Sequence, residues 1–187
     1  MERTRMTLPL TAEQTAALRA GDLLLLTGDL YTARDAAHQK MIACLNRGET
    51  LPVDWNGQTV YYSGPCPARP GRPTGSAGPT TSGRMDACTP RLLSQGLRVM
   101  IGKGARSAEV VAAIRQHGAV YLGATGGAGA LLAQCIQKSE IIAYPELGTE
   151  AVRRLSVVDF PAVVLIDSQG GNLYDEGRRE YEQTEQE

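Results

Sequence analysis

Four short stretches combine residue types that can hold an anion. In Thr32-Ala33-Arg34-Asp35, Thr32 has the side chain of a helix N-cap, which places Arg34 in the first turn of the helix that follows. A cation there opposes the positive end of the helix dipole at a cost of about 0.3–1 kcal/mol, and Asp35 in the same turn offsets it. Two readings follow: a surface Arg34 paired with Asp35 or Asp29, or a guanidinium and a helix N-terminus converging on one bound anion. In Gly78-Pro79-Thr80-Thr81-Ser82-Gly83-Arg84-Met85-Asp86, three consecutive hydroxyls, a glycine and an arginine make a turn suited to a carboxylate, with Arg84 as its bidentate partner. The plainer reading is a hydroxyl-capped turn leading into a short helix before Leu92 and Leu93. In Gly102-Lys103-Gly104, glycines on both sides of a lysine allow close backbone approach to an anion; the spacing is not that of a phosphate-binding P-loop. Gly123-Ala124-Thr125-Gly126-Gly127-Ala128-Gly129 also departs from the dinucleotide-binding pattern, and close helix–strand packing accounts for it. The two histidines are His38 and His117. His38 lies one turn after Arg34 on the same helix face, behind the anion site, and His117 before Gly118 reads as a helix C-terminal residue.

These residues need a scaffold, and the pattern supplies one. Thr11 with Gln14 forms a capping box opening a helix over 12–20 that Gly21 stops. Asp22 to Thr27 reads as a buried strand, Thr32 to Arg47 as a capped helix with Met41, Cys44 and Leu45 on its apolar face, and Gln58 to Tyr62 as a strand. Residues 63–83 hold five of the ten prolines and five of the 21 glycines, with no acidic residue, so they form neither a regular helix nor a central strand. The segment is either a linker or a functional loop between structured stretches. Then strand and helix alternate: Leu97 to Ile101, Ser107 to Gln116, Ala119 to Leu122 and Ala128 to Gln137, followed by strands at Ile141 to Tyr144, Leu155 to Asp159 and Ala162 to Asp167. This predicts an α/β chain with a mixed sheet and flanking helices, one domain over 1–187 with its ordered body at 8–175 and a polar, frayed tail at 176–187.

Composition narrows the function classes. Nineteen Lys and Arg against twenty Asp and Glu give a net charge of −1, without the basic excess of a nucleic-acid binder or a polybasic membrane protein. Aromatics are only 5% of the chain, so stacking platforms for single strands are not expected. No apolar run approaches the ~20 residues of a membrane span, and no signal-peptide core is present, which predicts a cytoplasmic protein. Cys44, Cys66, Cys88 and Cys135 lie far apart and form no metal-ligand spacing with one another or with histidine, so they read as four free thiols.

The stretches TGDLYTARDAAHQK, YYSGPCPARPG, GSAGPTTSGRMD, IGKG, GAVYLGATGGAGALL, ELGTEA and DFPAVVLIDSQGGNLY together resemble the β subunit of class I fumarate hydratase, equivalent to the C-terminal domain of its single-chain form. The resemblance covers roughly residues 8–175, and TARD followed 50 residues later by the arginine of GPTTSGRMD is its most specific feature. A related family is the β subunit of L(+)-tartrate dehydratase, where a Glu is expected at the position of Asp86, which favours fumarase. Cys88 stands where relatives are expected to carry an aromatic residue, outside the matching motifs. The resemblance implies a swivelling β/β/α domain and an oxygen-sensitive 4Fe-4S cluster held by cysteines of an α subunit, none of them on this chain. It implies reversible hydration of fumarate to L-malate, with substrate bound at one iron acting as Lewis acid. It assigns carboxylate binding to Arg34, Arg84 and Lys103, the catalytic base to Thr80 with Thr81 beside it, and supporting places to Asp35, His38 and Asp86. The implied partner is the cluster-bearing α subunit, in a hetero-oligomer, with a homo-oligomer as the state of the isolated chain. A non-catalytic module that binds an anionic ligand, or a stand-alone oligomer with another activity, are the readings from other classes.

Overall fold

The computed structural model describes residues 3–182. Its strands are β1 (Thr4–Thr7), β2 (Leu23–Thr32), β3 (Thr59–Tyr61), β4 (Val99–Gly102), β5 (Val120–Gly123), β6 (Ile136–Ala143) and β7 (Val152–Ile166). Its helices are α1 (Ala12–Ala17), α2 (Asp35–Asn46), α3 (Thr89–Leu93), α4 (Ala108–His117), α5 (Gly129–Gln134) and α6 (Leu173–Glu182), with 3-10 turns at Ser82–Met85 and Pro145–Glu150. The fold is mixed α/β: a seven-stranded sheet in the order β1-β2-β3-β4-β5-β7-β6, with flanking helices.

The sheet closes on itself. Strands β2, β3, β4 and β5 run parallel side by side, and β7 pairs antiparallel both with β5 and with β2. A closed ring has one inner face, and all five strands send side chains to one apolar cluster, including Leu26, Tyr61, Ile101, Leu122 and Phe160. The outer face carries Val60, Tyr62, Met100 and Tyr121 against Ala37 and Met41 of α2, Leu92 and Leu93 of α3, and Val110 and Ile114 of α4. All residues of β4 and of β5 are buried, which is why these strands read as unbroken apolar runs rather than alternating ones.

Several expectations are corrected. Thr32 does not cap α2: it is the last residue of β2, fully buried, and Arg34 occupies the N-cap position in extended conformation without a side-chain cap bond. The two strands expected at 155–159 and 162–167 are one strand, β7. Asp159 takes a left-handed φ of 49° within it, where the register against β2 slips between Leu26 and Gly28. That bulge lies beside the gap expected at 160–161, through which the strand in fact continues. Among the described residues β1 begins before residue 8 and α6 runs past residue 175. Helix α6 starts because Asn172 accepts the Tyr174 N–H at 3.2 Å and the Asp175 and Glu176 carboxylates sit in its first turn. Residues 183–187 of the expected tail lie outside the described residues. Loop 63–83 is pinned along its length rather than free. Cys66 N–H bonds the Ser76 carbonyl at 2.9 Å, Tyr61 hydroxyl bonds the Ala77 carbonyl at 2.6 Å, and Ser63 hydroxyl bonds the Gly78 carbonyl at 2.9 Å.

His38 lies inside the α2–sheet interface, 1% exposed, edge-on to the Tyr62 ring at 5.4 Å. Its Nδ1 is 2.9 Å from the Arg34 carbonyl and so carries the hydrogen, while Nε2 is buried without a protein partner. Burial above all lowers its pKa from 6.5 to about 4; Arg106 adds to this, and the Arg34 carbonyl and Asp35 oppose it without prevailing. The ring is therefore neutral in the native state while an unfolded chain takes up a proton near pH 6.5. Stability contributed by the neutral ring is present above that pH and is lost as pH falls toward 4. Chemical unfolding should show a loss on the order of 2–3 kcal/mol between pH 7 and 4.5 from this group, and His38→Gln should flatten that slope. A slope unchanged in the variant would mean that His38 is not the buried neutral group.

Candidate functional site

The parallel strands β2 to β5 end at the same edge of the ring, and each expected site residue follows one of those ends or is stitched between them. Neighbouring strands are about 4.8 Å apart, so the ends of β2 and β4 are about 10 Å apart. Ligands of parallel α/β sheets characteristically sit outside such carboxyl ends.

From β3 the chain runs into loop 63–83 and returns as Thr80-Thr81-Ser82, wedged between the ends of β3 and β4. Thr80 N–H bonds the Tyr62 carbonyl at 2.7 Å, Thr81 forms a parallel bridge with Lys103, and Ser82 N–H bonds the Lys103 carbonyl at 2.9 Å. Ser82 Oγ accepts the Lys103 N–H at 3.1 Å and lies 2.8 Å from the Tyr121 hydroxyl, which also lies 2.8 Å from the Gly104 carbonyl. One assignment satisfies every atom: Ser82 donates to Tyr121, and Tyr121 donates to Gly104. Gly102 makes this latch possible, because a Cβ there would collide with Ser82 Oγ and come within 2.9 Å of the Tyr62 ring. Bridge partners share a face, so Thr81 and Lys103 present their side chains together. Lys103 is exposed and passes over Gly126, whose missing Cβ would lie 3.5 Å from Lys103 Cδ. Thr80 is half-buried, and among the described residues its hydroxyl makes no hydrogen bond.

Arg84 stands on the 3-10 turn Ser82–Met85, exposed and without an ion pair among the described residues. The turn is fixed on both sides of it, by the Ser82 latch and by Asp86. Asp86 accepts from the fully buried Arg106 Nε at 2.7 Å and from the Ser107 N–H at the start of α4 at 2.7 Å. The Arg106 guanidinium lies over the Tyr62 and Tyr121 rings at 5.3 and 4.9 Å and donates to Thr89 at 2.7 Å. Asp86 thus serves the scaffold of the turn rather than the open edge.

Arg34 is not a bare cation. Its Nη2 lies 3.4 Å from Asp35 and 3.5 Å from Glu150, its Nε is buried without a partner, and its side chain is 22% exposed. The N-terminus of α2 already has an anion, since Ala36 N–H donates to Glu150 Oε2 at 3.1 Å. The helix end and the guanidinium do converge on one carboxylate, and it belongs to the chain itself. His38 touches the Arg34 backbone carbonyl, not its guanidinium. Arg34, Thr80, Thr81, Arg84 and Lys103 therefore line an open edge. None of them lines the cleft of about 500 Å3 beside Trp55 or the one of about 240 Å3 between Arg69, Arg72 and α5.

Sequence reading missed Glu150, the Ser82–Tyr121 latch and the Arg106 clamp. Glu150 was visible within ELGTEA, but no spacing rule connects position 150 to a helix that starts at 35. Buried Arg106 sits three residues after Lys103, and a basic residue so close to an exposed one carries no sign of which of the two is inside.

Comparison with known proteins agrees with these motifs. The model of the family described as fumarase C-terminus matches residues 1–177. The anaerobic class I fumarate hydratase of Escherichia coli is 44% identical over 153 residues, 81% of this chain and 28% of its own length. Fumarate hydratase 2 of Leishmania major is 40% identical over 164 residues, 87% of this chain and 29% of its own. A Methanocaldococcus jannaschii protein assigned as the L(+)-tartrate dehydratase subunit beta is 37% identical over 173 residues, 89% of each chain. The chain thus spans a little over a quarter of the fumarate hydratases it matches and nearly all of a β subunit. The match runs through every strand of the sheet: the chain belongs to the fumarase C-terminus family.

Proposed function

We propose that the chain is the β-subunit portion of a cytoplasmic iron-sulfur hydro-lyase that interconverts fumarate and L-malate, with a site shared with an α subunit. The observation that carries this reading is the placement of Arg34, Arg84, Lys103 and two threonines at one open edge, on three anchored segments. The names of the relatives support the substrate class. An edge without a lid is half of a site, and in the proposal the facing half is the α subunit, against which this domain swivels.

In the family the 4Fe-4S cluster supplies Lewis acidity to the substrate. The residues of this chain do not fit such a cluster: among those described, no group of three His, Cys, Asp or Glu could hold a metal ion, and the four cysteines are free and dispersed. The cluster's ligands therefore belong to the α subunit in this reading. What this chain contributes is charge and a hydroxyl. Arg34 and Arg84 offer planar forks to the substrate carboxylates, and Lys103 adds a compact charge. Removing the C3 proton of malate builds negative charge on the adjacent carboxylate, and fixed cations there stabilise it without reorganising. Thr80 takes that proton on dehydration and returns it on hydration. A threonine hydroxyl is a weak base in water, so this role depends on the surrounding cations favouring its alkoxide. A second reading, an L(+)-tartrate dehydratase β subunit, is favoured by the Methanocaldococcus relative, which matches along 89% of both chains.

Co-expression with the α partner under anoxic conditions, followed by assays with fumarate and with L(+)-tartrate, tests both readings. Hydration of fumarate by the complex and none by the chain alone is the expected result. Turnover by the iron-free chain alone would overturn the shared site. Arg34→Ala and Arg84→Ala should each weaken kcat/KM by the ~1.5–3 kcal/mol of a charge-assisted bond, about 10–100-fold, while Arg69→Ala on the same loop has a smaller effect. Equal, mild losses in all three would leave Arg34 and Arg84 as ordinary surface residues.

Thr80→Val keeps the shape and removes the hydroxyl. It should lower kcat by about 100-fold or more, the scale of general-base catalysis, with a smaller change in KM. Thr81→Val, whose backbone is held by the Lys103 bridge, should be milder. A near-normal kcat in Thr80→Val would move the base to the α subunit.

A further inference from the structure

We infer that Glu150 is the positioning residue for Arg34: it supplies from a distance the helix cap that Arg34 cannot, and its second oxygen orients the guanidinium toward the open edge. The inference rests on the proposal that Arg34 binds a substrate carboxylate. An N-cap position favours Ser, Thr, Asp or Asn, whose side chains accept the free N–H groups of the first turn. Arg34 stands there and can accept nothing, so α2 breaks a local rule at the point where the candidate site begins. Glu150, 114 residues beyond Ala36, makes good the loss. One oxygen accepts the Ala36 N–H at 3.1 Å, and the other lies 3.5 Å from Arg34 Nη2.

The segment that delivers Glu150 is built for the purpose. The turn Pro145–Glu150 follows Tyr144 in left-handed conformation (φ 55°) and reverses again at Gly148 (φ 59°). It is strapped to the outer side of α2 by Lys40 and Glu146 at 2.5 Å, while the Lys40 ammonium lies over the Tyr144 ring at 5.3 Å. On the other side Gly64 closes the cradle: a Cβ there would lie 3.2 Å from both Arg34 Nη1 and the Thr149 carbonyl. Arg34 is thus walled by the strap and by the start of loop 63–83. Because Nε has no partner, the carboxylates of Glu150 and Asp35 at Nη2 are what set its orientation. Neither contact is short or bidentate, so the guanidinium is aimed without being used up, and a substrate carboxylate can still take it.

The test uses the chain assembled with its α partner and the near-isosteric Glu150→Gln, which keeps an acceptor for Ala36 but loses the charge facing Arg34. KM for fumarate should rise about tenfold with kcat within about threefold, the pattern of lost uniform binding, and the thermal midpoint should stay close to the parent. In an Arg34→Ala background the same substitution should change nothing further, because Glu150 acts through Arg34. On the chain alone, NMR of the Arg34 Nε–H should show a restrained side chain that becomes mobile in Glu150→Gln. A parent-like KM in Glu150→Gln, additive effects in the double variant, or an Arg34 equally mobile in both proteins would overturn the inference alone. An unchanged KM in Arg34→Ala by itself would overturn the carboxylate-binding reading of Arg34, and the inference with it.

Discussion

The candidate site depends on one wedge, the insertion of Thr80-Thr81-Ser82 between the ends of β3 and β4. Without it the sheet edge would offer a lysine after β4 and an arginine after β2, with a proline-rich loop swinging between them. With it, the loop returns in register beside Lys103, and Ser82 turns inward to a buried tyrosine hydroxyl. The insertion needs an absent side chain at Gly102 and an accepting carbonyl at Gly104. The two glycines around Lys103 therefore do more than allow an anion to approach: the first makes room for the neighbouring segment, and the second accepts from Tyr121. A loop that carries chemistry is fixed here by the strand ends it lies between.

Ring closure sets the geometry in which that wedge works. Because β7 pairs with both β5 and β2, the four parallel strands cannot splay, and their carboxyl ends keep a fixed spacing. Each cation then arrives on its own anchored segment: Arg34 at the start of α2, Arg84 between Ser82 and the Arg106-bound Asp86, Lys103 after β4. Orientation established by the scaffold need not be established when a ligand binds, which is the physical advantage of a preorganised site.

How much of this the sequence discloses differs between local and distant features. Local rules were reliable: the Thr11–Gln14 capping box and the Ser107 cap of α4 both form, and the apolar runs at Val99 and Val120 are strands. The motif residues Arg34, Thr80, Thr81, Arg84 and Lys103 all reach one edge, because each follows or abuts a strand end. What failed were rules that assume the nearest candidate is used. Thr32 has an ideal capping side chain but is needed as the last residue of β2, so the cap comes from Glu150. Asp86, given a supporting place by the resemblance, has its carboxylate taken by a buried guanidinium from 20 residues away, which no local rule indicates. In β7, the two strands expected at 155–159 and 162–167 are one, with a bulge at Asp159. In each case a contact between segments far apart in sequence outweighed a sound local preference.

Charge sets what such an edge would need in order to hold a dicarboxylate. Three cations face it, but Asp35 and Glu150 lie against one of them, so the free chain offers a dicarboxylate a modest local excess in full contact with water. Exposed charge pairs are worth little, because water competes for both partners. Excluding that water strengthens every one of these interactions, and it raises the cost of any carboxylate left unpaired. A facing domain would therefore turn weak, exposed attractions into strong ones without moving a residue of this chain. The same enclosure would favour a charged Thr80 oxygen only if the cations were already in place, since a buried alkoxide without them would be prohibitively costly. The proposed order of construction follows from the energetics: the scaffold fixes the cations, enclosure would make them effective, and only in that combination could a threonine act as a base.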